Sequence, residues 1–288
     1  MSIKCKDIWL ALVVVIILSC GGKTSSSDSS DGGGNEELDV SLRENSGGAA
    51  KEEELGISED VSPALDGVFN DFLFAYLHSR TLRRERTAHP LRLEHMTRPT
   101  EMLEEFDPEF ELGFLSGEYF TTLYGSVSQM LEEDEEEVEE DSAANLQRIN
   151  LNDGTIRNFL FLREEGHWRL DAICEATFED DDLGDFLSFY AQFCTDTLFQ
   201  IKSVADPLHI VIQDFEDEDE NIDGIIDADQ WHSFCPEVPS GIISNIRKGQ
   251  SYGGQKIVLR KSGLSSGLQE VFTFTKERGN WRLTKYEN

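Results

Sequence analysis

The chain has 288 residues, of which 39% are hydrophobic, and its formal net charge at pH 7 is −32. This length and this hydrophobic fraction suffice for two folded domains with apolar cores. The charge argues against nucleic acid as a partner, because phosphate backbones are anionic and repel such a surface. It also disfavours docking to a bare anionic membrane.

The first residues have the pattern of a lipoprotein signal peptide. Two lysines precede an apolar stretch, Ile8–Leu18, which is shorter than the ~20 residues that a membrane-spanning helix needs. The stretch ends in Ile17–Cys20, Ile-Leu-Ser-Cys, which resembles the bacterial lipobox. The resemblance implies that residues 1–19 are removed and that Cys20 carries a diacylglycerol lipid. The alternative is an ordinary signal peptide or an uncleaved anchor.

Lipidation of Cys20 would place the protein in the bacterial cell envelope, anchored to the outer membrane on its periplasmic or surface face. Residues 20–61 are rich in glycine, serine and acidic side chains. Such a segment buries too little apolar surface to offset the entropy of ordering the chain. It is predicted to be a disordered tether between the lipid and the folded part.

The remaining sequence contains an internal duplication. Four aromatic or apolar residues at helical spacing in 69–76 align with a similar set in 186–193. Later, residues 154–170 align with 267–283, including the pentapeptides Gly-His-Trp-Arg-Leu and Gly-Asn-Trp-Arg-Leu. The matches keep the same order along the chain, which indicates two tandem copies of one domain, 62–176 and 182–288.

The pattern in each copy predicts a helix followed by strands. In the second copy, Phe272 and Phe274 alternate with the smaller Val271, Thr273 and Thr275. Gly279 suits a turn, and Trp281 and Leu283 share one face of the last strand. We therefore predict an α+β fold of two tandem cone-shaped domains. Each domain would pack a long N-terminal helix on a curved antiparallel sheet.

A helix-first domain that ends in a Gly-x-Trp-Arg-Leu strand resembles the nuclear transport factor 2-like (cystatin-like) fold. Four stretches of the second copy also resemble an uncharacterised family of Bacteroides-type lipoproteins, domain of unknown function 4348: Asp185–Ile201, Asp206–Ile212, Asp229–Ile246 and Val271–Asn288. That resemblance covers residues 184–288 and supports the lipoprotein and cone interpretations. It implies no activity and no site residue.

A calcium site is one candidate for chemistry. The segment 219–230 has the spacing of an EF-hand loop, with a glycine at the sixth position. The candidate ligands are Asp219, Asn221, Asp223 and Asp227. Gln230 at the twelfth position lacks the bidentate carboxylate, and a strand pattern precedes the loop, so an acidic loop that caps a helix is the alternative. No other cofactor is expected.

An enzyme is the second candidate, because cone-shaped folds can place ionisable groups in a pocket for general acid–base catalysis. The candidate pocket residues are Tyr190, His209 and Trp231. They form no recognisable pair, and the sequence has no Ser-His-Asp pattern, phosphate loop or His-Glu-x-x-His motif. This favours a binding module for an unidentified protein or small ligand over an enzyme.

Two charged clusters and three cysteines complete the candidates. Arg80–Arg86 is predicted to end the first helix, either solvated or docking an anionic ligand or acidic segment. Leu131–Asp141 is predicted to be a disordered acidic loop, with attraction of a basic partner or divalent cations as the alternative. Cys174, Cys194 and Cys235 allow one disulfide or buried free thiols.

Overall fold

The computed structural model of the chain describes residues 65–107, 111–115, 117–135, 141–213, 221–234, 236–249, 252–263 and 268–288. The lipobox with Cys20, the predicted tether, Asp219 and Cys235 lie outside the described residues. Within the described ranges, no helix combines the length and the apolar character needed to cross a membrane.

The helices are Phe69–His78 (α1), Arg80–Glu85 (α2), Val127–Glu135 (α3), Gly184–Thr195 (α4), Thr197–Lys202 (α5) and Trp231–Phe234 (α6). The strands of the first repeat are Thr87–Glu94 (β1), Glu101–Leu103 (β2), Tyr119–Tyr124 (β3), Ala143–Asn150 (β4), Thr155–Glu164 (β5) and His167–Thr177 (β6). Those of the second are Val204–Gln213 (β7), Asn221–Ile226 (β8), Ile242–Arg247 (β9), Lys256–Gly263 (β10), Gln269–Glu277 (β11) and Asn280–Glu287 (β12).

The aromatic helix of each repeat is confirmed, but it is not one long helix. Both helices break after the aromatic stretch, at Ser79 and at Asp196, which have extended backbones. The Ser79 hydroxyl accepts a hydrogen bond from the Leu82 N–H at 3.2 Å, and the Asp196 carboxylate accepts one from the Phe199 N–H at 3.0 Å. Each side chain therefore caps a second, shorter helix and stabilises the break.

The α+β class is confirmed, whereas the fully antiparallel sheet is wrong. Two six-stranded sheets have the orders β2-β1-β6-β5-β4-β9 and β3-β10-β11-β12-β7-β8. In each sheet one pair, β1 with β6 and β7 with β12, is parallel. The strand that follows the short helix thus runs beside the last strand of its own repeat, in the same direction.

The two repeats exchange one strand. Strand β9 of the second repeat pairs with β4 of the first, and β3 of the first pairs with β10 of the second. The exchanged strands meet at Thr121 and Ser244, whose backbone and hydroxyl groups form four mutual hydrogen bonds of 2.6–3.0 Å. The predicted boundaries therefore describe sequence repeats, while each sheet is completed by the other repeat.

A buried polar network ties the acidic link between the repeats to the exchanged strand β9. Asp181 accepts hydrogen bonds from Gln147 at 3.1 Å and from the Arg247 guanidinium, whose side chain is 2% exposed. A second Arg247 nitrogen lies 2.8 Å from Asp182. Burial raises the pKa of Asp182 despite the nearby Arg247. The link is thus part of the interface between the two repeats.

The acidic insertion of the first repeat begins as a helix, which corrects the prediction of a loop. Residues 131–135 belong to α3, and Met130 of the same helix is buried against Tyr124, Val258 and Val271. Met130, directly before the acidic segment, therefore covers one face of the second sheet. The remainder of the acidic run, 136–140, lies outside the described residues.

The duplicated pentapeptide has the predicted structural role in both repeats. Gly166 and Gly279 have φ angles of 85° and 87°, in a region that favours glycine. Trp168 and Trp281 then lie in the two cores, and the leucine two residues after each tryptophan is fully buried. The motif therefore turns a hairpin and starts the final core strand of each repeat.

Candidate functional site

The three predicted pocket residues do not converge on a catalytic site. Tyr190 is fully buried, and its hydroxyl donates to the Pro239 carbonyl at 2.8 Å. Trp231 is buried with its ring 5.7 Å from that of Tyr286. His209 lies on β7 with a partly exposed side chain, 2.6 Å from Asp223. Two of the three side chains are thus core residues, and the third makes a hydrogen bond at the surface.

Aromatic rings pack the interior of the second cone, where the enzyme hypothesis needs a pocket. The Phe274 ring lies 5.3 Å from Phe186, 5.6 Å from Tyr190 and 5.4 Å from Phe193, with edge-to-face geometry in each pair. This is the favoured arrangement of aromatic quadrupoles. The packing therefore gives general acid–base catalysis in this cone no support.

Two of the four predicted calcium ligands lie on a strand. Asn221 and Asp223 belong to β8, which pairs with β7, so this stretch is extended instead of wrapped as an EF-hand loop requires. Asp227 follows the strand, and its N–H donates to the Gln230 side chain at 2.9 Å. Within the residues that the structure describes, no group of three or more His, Cys, Asp or Glu side chains could hold a metal ion.

The described cysteines have different states. Cys174 is disulfide-bonded, whereas Cys194 has a free thiol. The Cys194 thiol lies in the second cone and donates to the Pro239 carbonyl at 3.2 Å. Burial raises the pKa of this thiol to about 12.

We expect Cys194 to resist alkylation in the native protein. With a pKa of about 12, roughly one thiol in ten thousand is ionised at pH 8, and the thiolate is the reactive form. Iodoacetamide labelling at pH 8, followed by mass spectrometry of the Cys194 peptide, should show rapid modification only in denaturant. Native labelling within about tenfold of the denatured rate would contradict the raised pKa.

The structure places the arginine cluster around a surface cleft of the first repeat. The cleft has a volume of about 430 Å³. It is lined by Arg80, Arg83, Arg84, Thr87, His89, Phe106 and Asp107. The three arginines come from α2, where positions i, i+3 and i+4 lie on one helix face. The break at Ser79 sets this face apart from the aromatic helix before it.

The arginines differ in how firmly they are held. Arg83 is 8% exposed, and its guanidinium donates to the Leu77 carbonyl. Its own carbonyl accepts a hydrogen bond of 2.6 Å from Thr87, whose hydroxyl lies 2.6 Å from that of Tyr76. Arg80 and Arg84 are exposed. One guanidinium is thus fixed, and two can adjust to a ligand.

The sequence prediction for this cluster was partly wrong. The basic residues do not end the first helix; they form a helix of their own. Arg86 turns away from the cleft and pairs with the buried Asp66 at 3.2 Å. Across the described ranges, Arg80 and Arg84 make no ion pair within 4.0 Å. Part of the cluster is therefore structural, and Arg80 and Arg84 are exposed with no carboxylate of the described residues within ion-pair distance.

The second repeat lacks this basic surface. A shift of 117 residues superposes α2 on α5. Arg80, Arg83, Arg84 and His89 then correspond to Thr197, Gln200, Ile201 and Asp206. Because the two helices occupy equivalent places in the fold, the architecture does not require arginine there. At these four equivalent positions, basic residues occur in the first repeat and not in the second.

Sequence reasoning missed a buried ion pair in the second sheet. Lys261 and Glu270 are directly opposed on β10 and β11, with 2.7 Å between their charged atoms. The Tyr286 hydroxyl donates to Glu270 at 2.7 Å, and Lys261 also donates to the Glu237 carbonyl at 3.2 Å. Polar residues at core-facing strand positions were the available signal. Since both charged groups have partners, we assign this ion pair a structural role.

Comparison with known proteins agrees with this architecture. A crystal structure of a nuclear transport factor 2-like protein from Bacteroides fragilis superposes with a TM-score of 0.68 at 25% sequence identity, covering 77% of this chain and 96% of that one. None of the curated proteins matches the chain. A family model described as a domain of unknown function matches residues 49–288. The chain therefore belongs to the DUF4348 family and has the nuclear transport factor 2-like fold.

Proposed function

We propose that this protein is a binding module tethered to the bacterial cell envelope by a lipid on Cys20, and that the cleft beside α2 holds an anionic ligand. The main support for this proposal is the arginine-lined cleft of the first repeat. It is lined by three arginines in a chain with a net charge of −32. Cone-shaped folds of this kind often serve as ligand-binding modules.

The arrangement has a stability cost that a ligand would offset. Like charges at i, i+3 and i+4 of a helix destabilise it by a few tenths of a kcal/mol for each pair. The equivalent helix of the second repeat does not carry these charges, although it has the same position in the fold. An anion bound between the arginines would remove the repulsion and gain charge-assisted hydrogen bonds.

Two features support an envelope location. The N-terminal residues have the spacing of a lipoprotein signal peptide. In addition, Cys174 is disulfide-bonded, and disulfides persist in oxidising compartments such as the periplasm but are rare in the bacterial cytosol.

Detergent partitioning of whole-cell extracts tests the lipid anchor. We expect the wild-type protein in the detergent phase and the Cys20→Ala variant in the aqueous phase or unprocessed, because the variant lacks the thiol that carries the lipid. Cys5→Ala, which changes a cysteine within the leader, should partition like the wild type. Detergent partitioning of Cys20→Ala equal to that of wild type would refute the anchor.

Thermal denaturation in the presence of small anions tests the cleft. A ligand that binds the folded state raises the midpoint by mass action, so millimolar phosphate should stabilise the wild-type chain. The double variant Arg80→Gln/Arg84→Gln should lose this response. Arg278→Asn, an exposed change in a turn of the second repeat, should keep it. Equal responses in all three proteins would contradict an anion site at the cleft.

A further inference from the structure

We infer that the cleft is built for a small phosphate monoester on a neutral, hydroxylated skeleton, such as a sugar phosphate. This rests on the proposed function and specifies the ligand class of the same site. The inference combines three features of the cleft: the number of its guanidinium groups, the charge of the surrounding protein, and the chemistry of the remaining lining residues.

The number of guanidinium groups favours phosphate over carboxylate. Each arginine presents a planar fork of donors, and one carboxylate offers two oxygens, which a single fork occupies. A phosphate monoester offers three terminal oxygens and a charge of about −1.5 to −2 at pH 7. Arg83 is fixed by its bond to Leu77, and the exposed Arg80 and Arg84 lie one helical turn or less away. Together they can surround such a group.

The charge of the whole protein restricts the size of the ligand. With a net charge of −32, the protein repels long polyanions such as nucleic acids, acidic polymers and anionic membranes. A ligand with one localised anionic group avoids most of this repulsion. The cleft volume of about 430 Å³ also lies within the range of small-molecule sites, ~300–1,000 Å³. Both facts favour a small molecule.

The other lining residues indicate what the phosphate is attached to. The half-buried Phe106 ring offers an apolar surface, against which the face of a sugar ring can pack. Asp107 also lines the cleft and is exposed. A carboxylate can accept hydrogen bonds from the hydroxyl groups of a ligand, and it repels a second anionic group. The skeleton is therefore neutral and carries hydroxyl donors.

Titration calorimetry on the intact chain in detergent at pH 7 tests the inference with four probes: glucose 6-phosphate, glucose, glucuronate and glucose 6-sulfate. We expect saturable binding of glucose 6-phosphate at least about tenfold tighter than that of glucuronate or the singly charged sulfate ester, and no binding of glucose. Arg84→Lys, which keeps the charge but loses the fork, should weaken glucose 6-phosphate binding about fivefold or more.

Two further variants keep the result interpretable. Phe106→Ala should weaken glucose 6-phosphate binding while leaving inorganic phosphate binding within about twofold of wild type. Arg278→Asn should leave both unchanged. Each variant is compared with wild type for its circular dichroism spectrum, so that loss of folding is not read as loss of binding.

The outcomes separate this inference from the proposed function. If glucuronate or the sulfate ester binds as tightly as glucose 6-phosphate, and Arg84→Gln abolishes that binding, the anion site stands and the phosphate class is wrong. If Phe106→Ala weakens inorganic phosphate as much as the sugar phosphate, the sugar assignment is wrong. If no anion binds the wild-type chain, the proposed function fails together with the inference.

Discussion

Replacing Phe274 with alanine is expected to lower the free energy of unfolding by about 3–5 kcal/mol, as large-to-small changes of buried aromatic residues do. The Phe274 side chain is fully buried. Its ring contacts four aromatic residues of one helix, Phe186, Phe189, Tyr190 and Phe193. Alanine would leave a cavity at the centre of the second core, and the rigid rings around it can close that cavity only in part.

Urea denaturation followed by tryptophan fluorescence measures this loss. The matched control is Phe74→Ala in α1, because that side chain is 61% exposed. Its removal should change the unfolding free energy by less than about 1 kcal/mol. Equal effects of the two substitutions would contradict the assignment of Phe274 to the core.

Neither sequence repeat is expected to fold alone as a stable monomer. Fragments 62–176 and 182–288 would each lack the strand that the other repeat contributes, β9 for the first sheet and β3 for the second. Each would expose a sheet edge, and the unpaired backbone groups of such an edge can bind a strand of another chain. The hydrogen bonds between Thr121 and Ser244 would also be lost.

Separate expression and mixing of the two fragments measure this dependence. We expect each fragment alone to be unfolded or to self-associate, and an equimolar mixture to form a folded one-to-one complex by size-exclusion chromatography. A contrary result would be two monomeric fragments whose melting temperatures lie within about 5 °C of the intact chain, a difference worth roughly 1 kcal/mol.

Local features of this fold were predictable because their patterns are local. The spacing of Phe69, Phe72 and Tyr76 requires one buried helix face, and all three are fully buried. In the same way, the alternation of phenylalanine with smaller side chains along the strand predicted that Phe272 and Phe274 face the core. The helix break was also visible in principle, since Ser79 and Asp196 are residue types that cap helices.

The strand exchange could not be predicted from the sequence, and the reason is physical. Because the repeats are copies of one domain, β3 and β9 have equivalent positions in the sequence. The repeat pattern alone therefore does not say which of the two sheets each strand joins. The same holds for Arg86, whose role depends on Asp66, 20 residues earlier in the chain.

The candidate site was only partly visible in the sequence. The arginine cluster was recognised, but its meaning depended on which arginines are held by the protein and which line a cleft. Phe106 and Asp107 join the cleft from the segment after β2, and no local pattern marks them. The calcium hypothesis relied on residue spacing, and the catalytic hypothesis relied on analogy with cone-shaped folds. The structure places Asn221 and Asp223 on a strand, and it places Tyr190 and Trp231 in the core.

A crystal structure of the chain soaked with glucose 6-phosphate is the most direct test of the central claim, that the cleft of the first repeat is the functional site. We expect electron density for the phosphate within hydrogen-bond distance of Arg80, Arg83 and Arg84, with the sugar against Phe106. An unoccupied cleft with the ligand elsewhere, for instance beside Lys261 in the second sheet, would contradict it.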